Sequence, residues 1–165
     1  MNGMSFFRAA VTLAVGILPV GVMPQETTLN GLQYWPAETF GSEAKELATK
    51  ASGDQHRAAT LKLGEFPNEY FLLAHREANG LAEWHETEAD VFVVQSGEAI
   101  LVVGGTIPGA SDTAAHEKRG DAITGGVRQN LKKGDAVRIP AKTAHQLLLE
   151  GGKEFTYFVV KVKGY

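Results

Sequence analysis

EWHETEADVFVVQSG, residues 83–97, sets four carboxylates and a histidine against the mouth of an apolar run. In a strand, successive side chains point to opposite faces, so Glu83 and His85 share one face and Trp84 takes the other. Asp90 opens the next strand after a short acidic turn. A second stretch, GDAVRIPAKTAHQ at 134–146, delivers His145 to the start of another strand just past the Pro140 turn. If these strands are neighbours, Glu83, His85, Asp90 and His145 converge at one end of a barrel. Burying that much charge is costly unless a cation or protons compensate it. A metal ion meets that need.

Working outward, the chain from His56 reads as about eight short strands rich in Val, Ile, Leu, Phe and Tyr: HRAATLKL, NEYFLLAHR, LAEWHE, DVFVVQ, EAILVV, DAVRIP, HQLLL and EFTYFVVKV. Turn signals separate them, among them Gly64, Asn79-Gly80, Ser96-Gly97 and Gly151-Gly152. No helix is interleaved, so the pattern predicts an all-β, antiparallel sandwich or barrel, and closure removes the exposed edges.

The residues ahead of His56 divide in two. Residues 1–25 carry one charge, Arg8, and an apolar run from Ala9 to Met23. That run is short for a membrane span and matches the apolar part of a signal peptide, although Val20, Gly21 and Val22 make a weak cleavage site. Export to the periplasm or medium is the expectation, with an uncleaved anchor the one route to a membrane. Residues 26–55 form an extended arm followed by one short helix, TFGSEAKELATKASG. Ser42 is read as its N-cap, Glu46 and Lys50 as an i,i+4 pair, and Gly53 as its end.

Composition excludes several classes. The 165 residues are 44% apolar and 21% charged, enough for one sizeable core. The net charge of −3 is spread along the chain, and no Lys/Arg block follows a phosphate backbone, so nucleic acid is not an expected partner. The absence of cysteine excludes disulfides and thiolate-held zinc or iron–sulfur centres.

EWHETEADVFVVQSG resembles the first motif of the cupin superfamily, at the spacing of germin-like members, with Glu83, His85, Asp90 and Gly97 in the motif positions. GDAVRIPAKTAHQ resembles the second motif through Gly134, Pro140 and His145, with Lys142 where glycine is usual. The resemblance implies a double-stranded β-helix (jelly-roll) barrel over residues 56–165, with a metal near its centre held by His85, Asp90 and His145. Two departures stand out: Glu83 replaces the first motif histidine, and Asp90 replaces a glutamate. Such a ligand set suits a divalent first-row ion such as Mn, Fe, Ni or Zn. Glu83 is either a fourth ligand or an acid–base group whose pKa burial would raise.

Other residues receive plainer readings. Arg76, at the end of its strand beside His75, is a candidate for a substrate carboxylate or, equally, for one of the many acids nearby. Trp84 and Phe92 read as packing residues, Glu86 and Glu88 as a solvated turn, and His56 and His116 have no evident partner. The stretch between the motifs, Glu98 to Lys133, is Gly-rich with little room for a core strand; it reads as a solvent loop or a lid, with HEKRGD (116–121) able to close over the barrel. Two function classes follow. One is an exported metal-dependent enzyme of dioxygenase, isomerase or lyase type acting on a small organic metabolite. The other is a non-catalytic cupin holding a small ligand in a degenerate or metal-free site. Pairing of two barrels through their sheets into a homodimer is a further expectation from the family.

Overall fold

The computed structural model describes residues 31–165. The leader, its cleavage and the start of the arm lie outside the described residues. Among those described there is one helix, α1 (Ala37–Gly53), followed by ten strands: β1 (Ala58–Glu65), β2 (Glu69–Arg76), β3 (Ala82–His85), β4 (Glu88–Val103), β5 (Ser111–Ala114), β6 (Glu117–Gly120), β7 (Val127–Lys132), β8 (Ala136–Ile139), β9 (His145–Leu148) and β10 (Phe155–Lys163). Every pairing is antiparallel.

The helix begins five residues before the expected Ser42. Pro36 stands at its N-cap, where a fixed φ and a missing N–H cost nothing, and Ser42 lies inside the helix with its Oγ donating to the Thr39 carbonyl at 3.0 Å. Glu46 and Lys50 do face each other, at 4.0 Å on the exposed side.

The long strand β4 decides the architecture. Two of the expected strands, DVFVVQ and EAILVV, are its halves. The first half lies between β10 and β8, the second between β7 and β9. One strand therefore crosses from one sheet (β1-β2-β10-β4-β8) into the other (β7-β4-β9-β3-β6-β5). The joint is Gly97, at φ 78°, where a Cβ would stand 1.9 Å from the Glu154 carbonyl oxygen, so only glycine permits the crossing.

Side-chain alternation fills the barrel with Ala74, Phe92, Val94, Leu101, Leu147, Phe155, Tyr157 and Val159. The opposite face of β2 and β10 is also covered. Phe71 and Phe158 stack there at 6.0 Å, Trp35 and Phe40 lean on Phe158, and Leu47, Ala51 and Leu73 are buried where α1 packs on β1 and β2. Both faces of β2 are thus buried, which matters for His75 below.

The expected loop between the motifs is a correction. Residues 98–133 hold the second half of β4, then β5, β6 and β7, and β6 is hydrogen-bonded to β3 over Ala82–His85. Glycines there serve tight turns between short strands rather than a solvent loop.

Candidate metal centre

The register assembles the site. Glu83 on β3 lies directly opposite His145 on β9, and Asp90 on β4 directly opposite Lys161 on β10. Both pairs point into the barrel. His85, Asp90 and His145 are buried, whereas Trp84 faces outward under the Lys118 ammonium. Glu83, His85 and His145 each offer a ligand atom within 4.8 Å of the others. Glu83 Oε2 is 3.5 Å from His85 Nε2 and 3.9 Å from His145 Nε2. Asp90 Oδ2 lies 3.1 Å from His145 Nε2 and 3.6 Å from His85 Nε2.

Hydrogen bonding assigns the tautomers. Lys161 Nζ, which can only donate, stands 2.8 Å from His85 Nε2, so that nitrogen is the acceptor and the ring proton sits on Nδ1, 3.6 Å from Glu117 Oε2. His145 Nδ1 donates to the Thr143 carbonyl at 3.2 Å, which turns its Nε2 toward the carboxylates with no hydrogen-bond partner. Both imidazoles therefore present Nε2 inward; His145 is braced from outside through Nδ1, as a metal-binding histidine is, while His85 Nδ1 only faces Glu117 across 3.6 Å. The donor set fits a divalent ion by that test.

The chain also supplies its own counter-charges; the pairing of Arg76 with a nearby acid was among the expectations, whereas the roles of Lys161 and Arg119 were not. Lys161 Nζ is 2.7 Å from Asp90 Oδ1. Arg119, on β6, places Nη1 3.0 Å from Glu83 Oε1 and holds Glu117 through Nε. Arg76 donates from Nε to the Tyr157 hydroxyl at 3.1 Å and sets Nη2 3.7 Å from Glu83 Oε1. Glu83, Asp90 and Glu117 thus face Lys161, Arg119 and Arg76. Burial works to raise the Glu83 pKa, but the positive charges of Arg119 and Lys161 oppose it, and the group is held far below the ordinary carboxylate range. For Asp90, burial is likewise opposed by the Lys161 ammonium, and the carboxyl is held below its ordinary range. Glu83 is an anion here, contrary to the raised pKa expected from burial.

One residue of the second motif explains itself locally. Lys142, where cupins usually carry glycine, sits at φ 61° and donates its N–H to the His85 carbonyl at 2.7 Å. The left-handed backbone is retained without the residue that best tolerates it. Elsewhere, Glu88 accepts from the Tyr70 hydroxyl at 2.9 Å and Glu86 meets His116 at 2.6 Å, so this turn is tied down.

Space inside is small. A cavity of about 20 Å³, room for about one water, is bounded by Arg76, Glu83, Phe92, His145, Gln146 and Tyr157.

No protein-family model and no curated protein matches the chain. Solved structures match by shape. An uncharacterized conserved protein with a double-stranded β-helix domain from Klebsiella pneumoniae shares 18% identity over 73% of this chain and 87% of its own, with a TM-score of 0.52. The TT1209 protein of Thermus thermophilus shares 17% over 72% and 92%, with a TM-score of 0.50. The cupin domain of Cnp3 from Schizosaccharomyces pombe shares 11% over 66% of each chain, with a TM-score of 0.49. At such identities the likeness speaks for fold alone. The chain has a double-stranded β-helix fold.

Proposed function

We propose that this cupin-fold protein holds one divalent first-row ion, Mn, Fe, Ni or Zn, in its barrel through His85, His145 and Glu83, with Asp90 at its side, and acts on a small organic metabolite. The observation that carries the reading is the pair of inward Nε2 atoms facing Glu83 Oε2. A bound ion would supply Lewis-acid or redox chemistry there. Glu83, held ionised, serves as a ligand in this reading rather than as a proton donor. Arg76 is already engaged by Tyr157 and Glu83, so it receives a substrate carboxylate only by exchanging one of those partners. The small cavity restricts the ligand that reaches the ion without movement of the barrel mouth to about the size of water.

The second reading is a metal-free binding protein. It is favoured by Lys161, whose ammonium holds the His85 lone pair that an ion would need. Elemental analysis of protein purified without chelators separates the two. The first expects one ion in the barrel that His145→Ala removes; absence of uptake or stabilisation by any of the four metals sinks it. Glu83→Gln refines the role: lost metal marks a ligand, and retained metal with lost turnover marks an acid–base group. Export belongs to the same proposal and rests on the apolar leader; a mature N-terminus between residues 21 and 28 in the native host supports it, and an intact Met1 in a cytosolic fraction refutes it.

A further inference from the structure

On the opposite face of β2 lies a second imidazole–carboxylate cluster. His75 is buried to 3% exposure, and its Nδ1 is 2.8 Å from the Thr156 hydroxyl on the neighbouring strand β10. Its Nε2 is buried and makes no hydrogen bond. That nitrogen is aimed between two carboxylates: Glu77 Oε1 at 3.6 Å and Glu154 Oε2 at 3.9 Å. A buried ring nitrogen without a partner is costly, and this one is fixed in direction by its other nitrogen.

The surroundings are built rather than incidental. Glu77 is itself held: its Oε2 is bound by Arg57, its N–H donates to the Arg57 carbonyl at 2.8 Å, and Arg57 Nη1 donates to the Ser52 carbonyl near the end of α1. This leaves Oε1 facing His75. Glu154 is exposed and free to adjust, and both carboxylates line a surface pocket of about 470 Å³ through which an ion can enter. Lys153, which also lines it, is engaged by Glu98 and Glu150.

We infer that His75, Glu77 and Glu154 form a second divalent-metal site, suited to zinc, on the outside of the barrel. The three ligand atoms lie within 4.8 Å of one another. Around tetrahedral zinc at 2.0–2.1 Å, ligand atoms stand about 3.3 Å apart, so the observed 3.6 and 3.9 Å need contractions of about 0.3 and 0.6 Å, which movement of the exposed Glu154 side chain can supply. One imidazole and two carboxylates leave the fourth position to water. The single cation Arg57 stands against two carboxylates, an excess of negative charge that favours an ion. The ion would join the end of β2 to the start of β10.

Chelator-stripped full-length protein titrated with Zn²⁺ alone tests this. In His145→Ala, which disables the barrel centre, one zinc equivalent is expected to remain and to raise the melting temperature. Adding Glu154→Gln, at an exposed position that leaves folding intact, should weaken that equivalent at least tenfold, and Glu77→Gln should do the same. Wild type that binds one equivalent, lost on Glu154→Gln but kept on His145→Ala, supports the outer site while refuting the barrel metal. Zinc binding by His145→Ala that is indifferent to both glutamate changes, or absent altogether, overturns the inference and leaves Nε2 carrying a proton toward Glu77.

Discussion

The two imidazole–carboxylate clusters, one inside the barrel and one on its outer side, solve the same problem differently. Inside the barrel, Glu83, Asp90 and Glu117 are matched by Lys161, Arg119 and Arg76, so the chain balances its own charge. Outside, Glu77 and Glu154 have one guanidinium between them and a histidine nitrogen left over. Geometry alone would rank the barrel as the better metal centre, since it gathers two histidines. Charge bookkeeping qualifies that ranking: an ion in the barrel must take the place of an ammonium, whereas an ion outside displaces nothing.

The most severe way to break the comparison is to remove the internal cation. Lys161→Met leaves Asp90 buried with no full positive charge against it, and losing one partner of a buried pair costs about 3–5 kcal/mol. For a domain of this size that lowers the melting temperature by on the order of 10–20 °C. Adding Asp90→Asn in the same chain should return most of the loss, since the pair is then neutral on both sides. Manganese or zinc should also restore the single variant more than wild type. A single variant as stable as wild type would show that Lys161 does not balance the site.

Acid attacks the same centre more gradually. Asp90 and Glu83 are both held below their unfolded values, so their contribution is fully present above the ordinary carboxylate range near 4 and is lost as pH falls toward the folded values. Melting temperature should therefore decline steeply below about pH 4 in wild type and less steeply in the Lys161→Met/Asp90→Asn chain. Equal slopes would remove Asp90 from the account.

These tests also mark what the sequence could tell. Alternation alone put Glu83 and His85 on one face with Trp84 on the other, and the two motif spacings brought Asp90 and His145 into the same reading. Lys161 was equally available to alternation, because Tyr157, Val159 and Lys161 share a parity in β10. A lysine near a strand's end reads as solvated, and only the Asp90–Lys161 register reveals its partner. Arg119 and Glu117 were hidden for another reason. Their strand β6 is four residues long in a Gly-rich stretch, too short for periodicity to register, and it exists because β3 offers it an edge. His75 was noticed as a neighbour of Arg76, but the outer layer under α1 that buries it depends on tertiary packing.

On the outer side, the charge argument is open to a sharper test with a smaller effect. Arg57→Gln removes the one cation that opposes an ion at Glu77 and frees the second carboxylate oxygen. Zinc affinity in the His145→Ala background should then rise by roughly threefold to tenfold, the scale of a partly exposed ion pair of about 1 kcal/mol. Weaker binding would mean that Arg57 positions Glu77 more than it competes with the ion.

The smallest effect concerns the scaffold between the clusters. Lys142 holds φ at 61°, a conformation that costs a side-chain-bearing residue about 1 kcal/mol, while glycine adopts it freely but loses more chain entropy on folding. Its N–H bond to the His85 carbonyl belongs to the backbone and survives substitution. Lys142→Gly should therefore be neutral or stabilising by up to about 1 kcal/mol, read as a rise of a few degrees in melting temperature. Metal content at both clusters should be unchanged, because the side chain makes no contact with either ligand set. If Lys142→Gly lowers stability, the glycine's entropic cost exceeds the strain it relieves. If it alters metal binding in the barrel, the loop that carries the His85 carbonyl contact also sets the angle of the imidazole, and the site's geometry reaches one turn further into the scaffold than the ligands themselves.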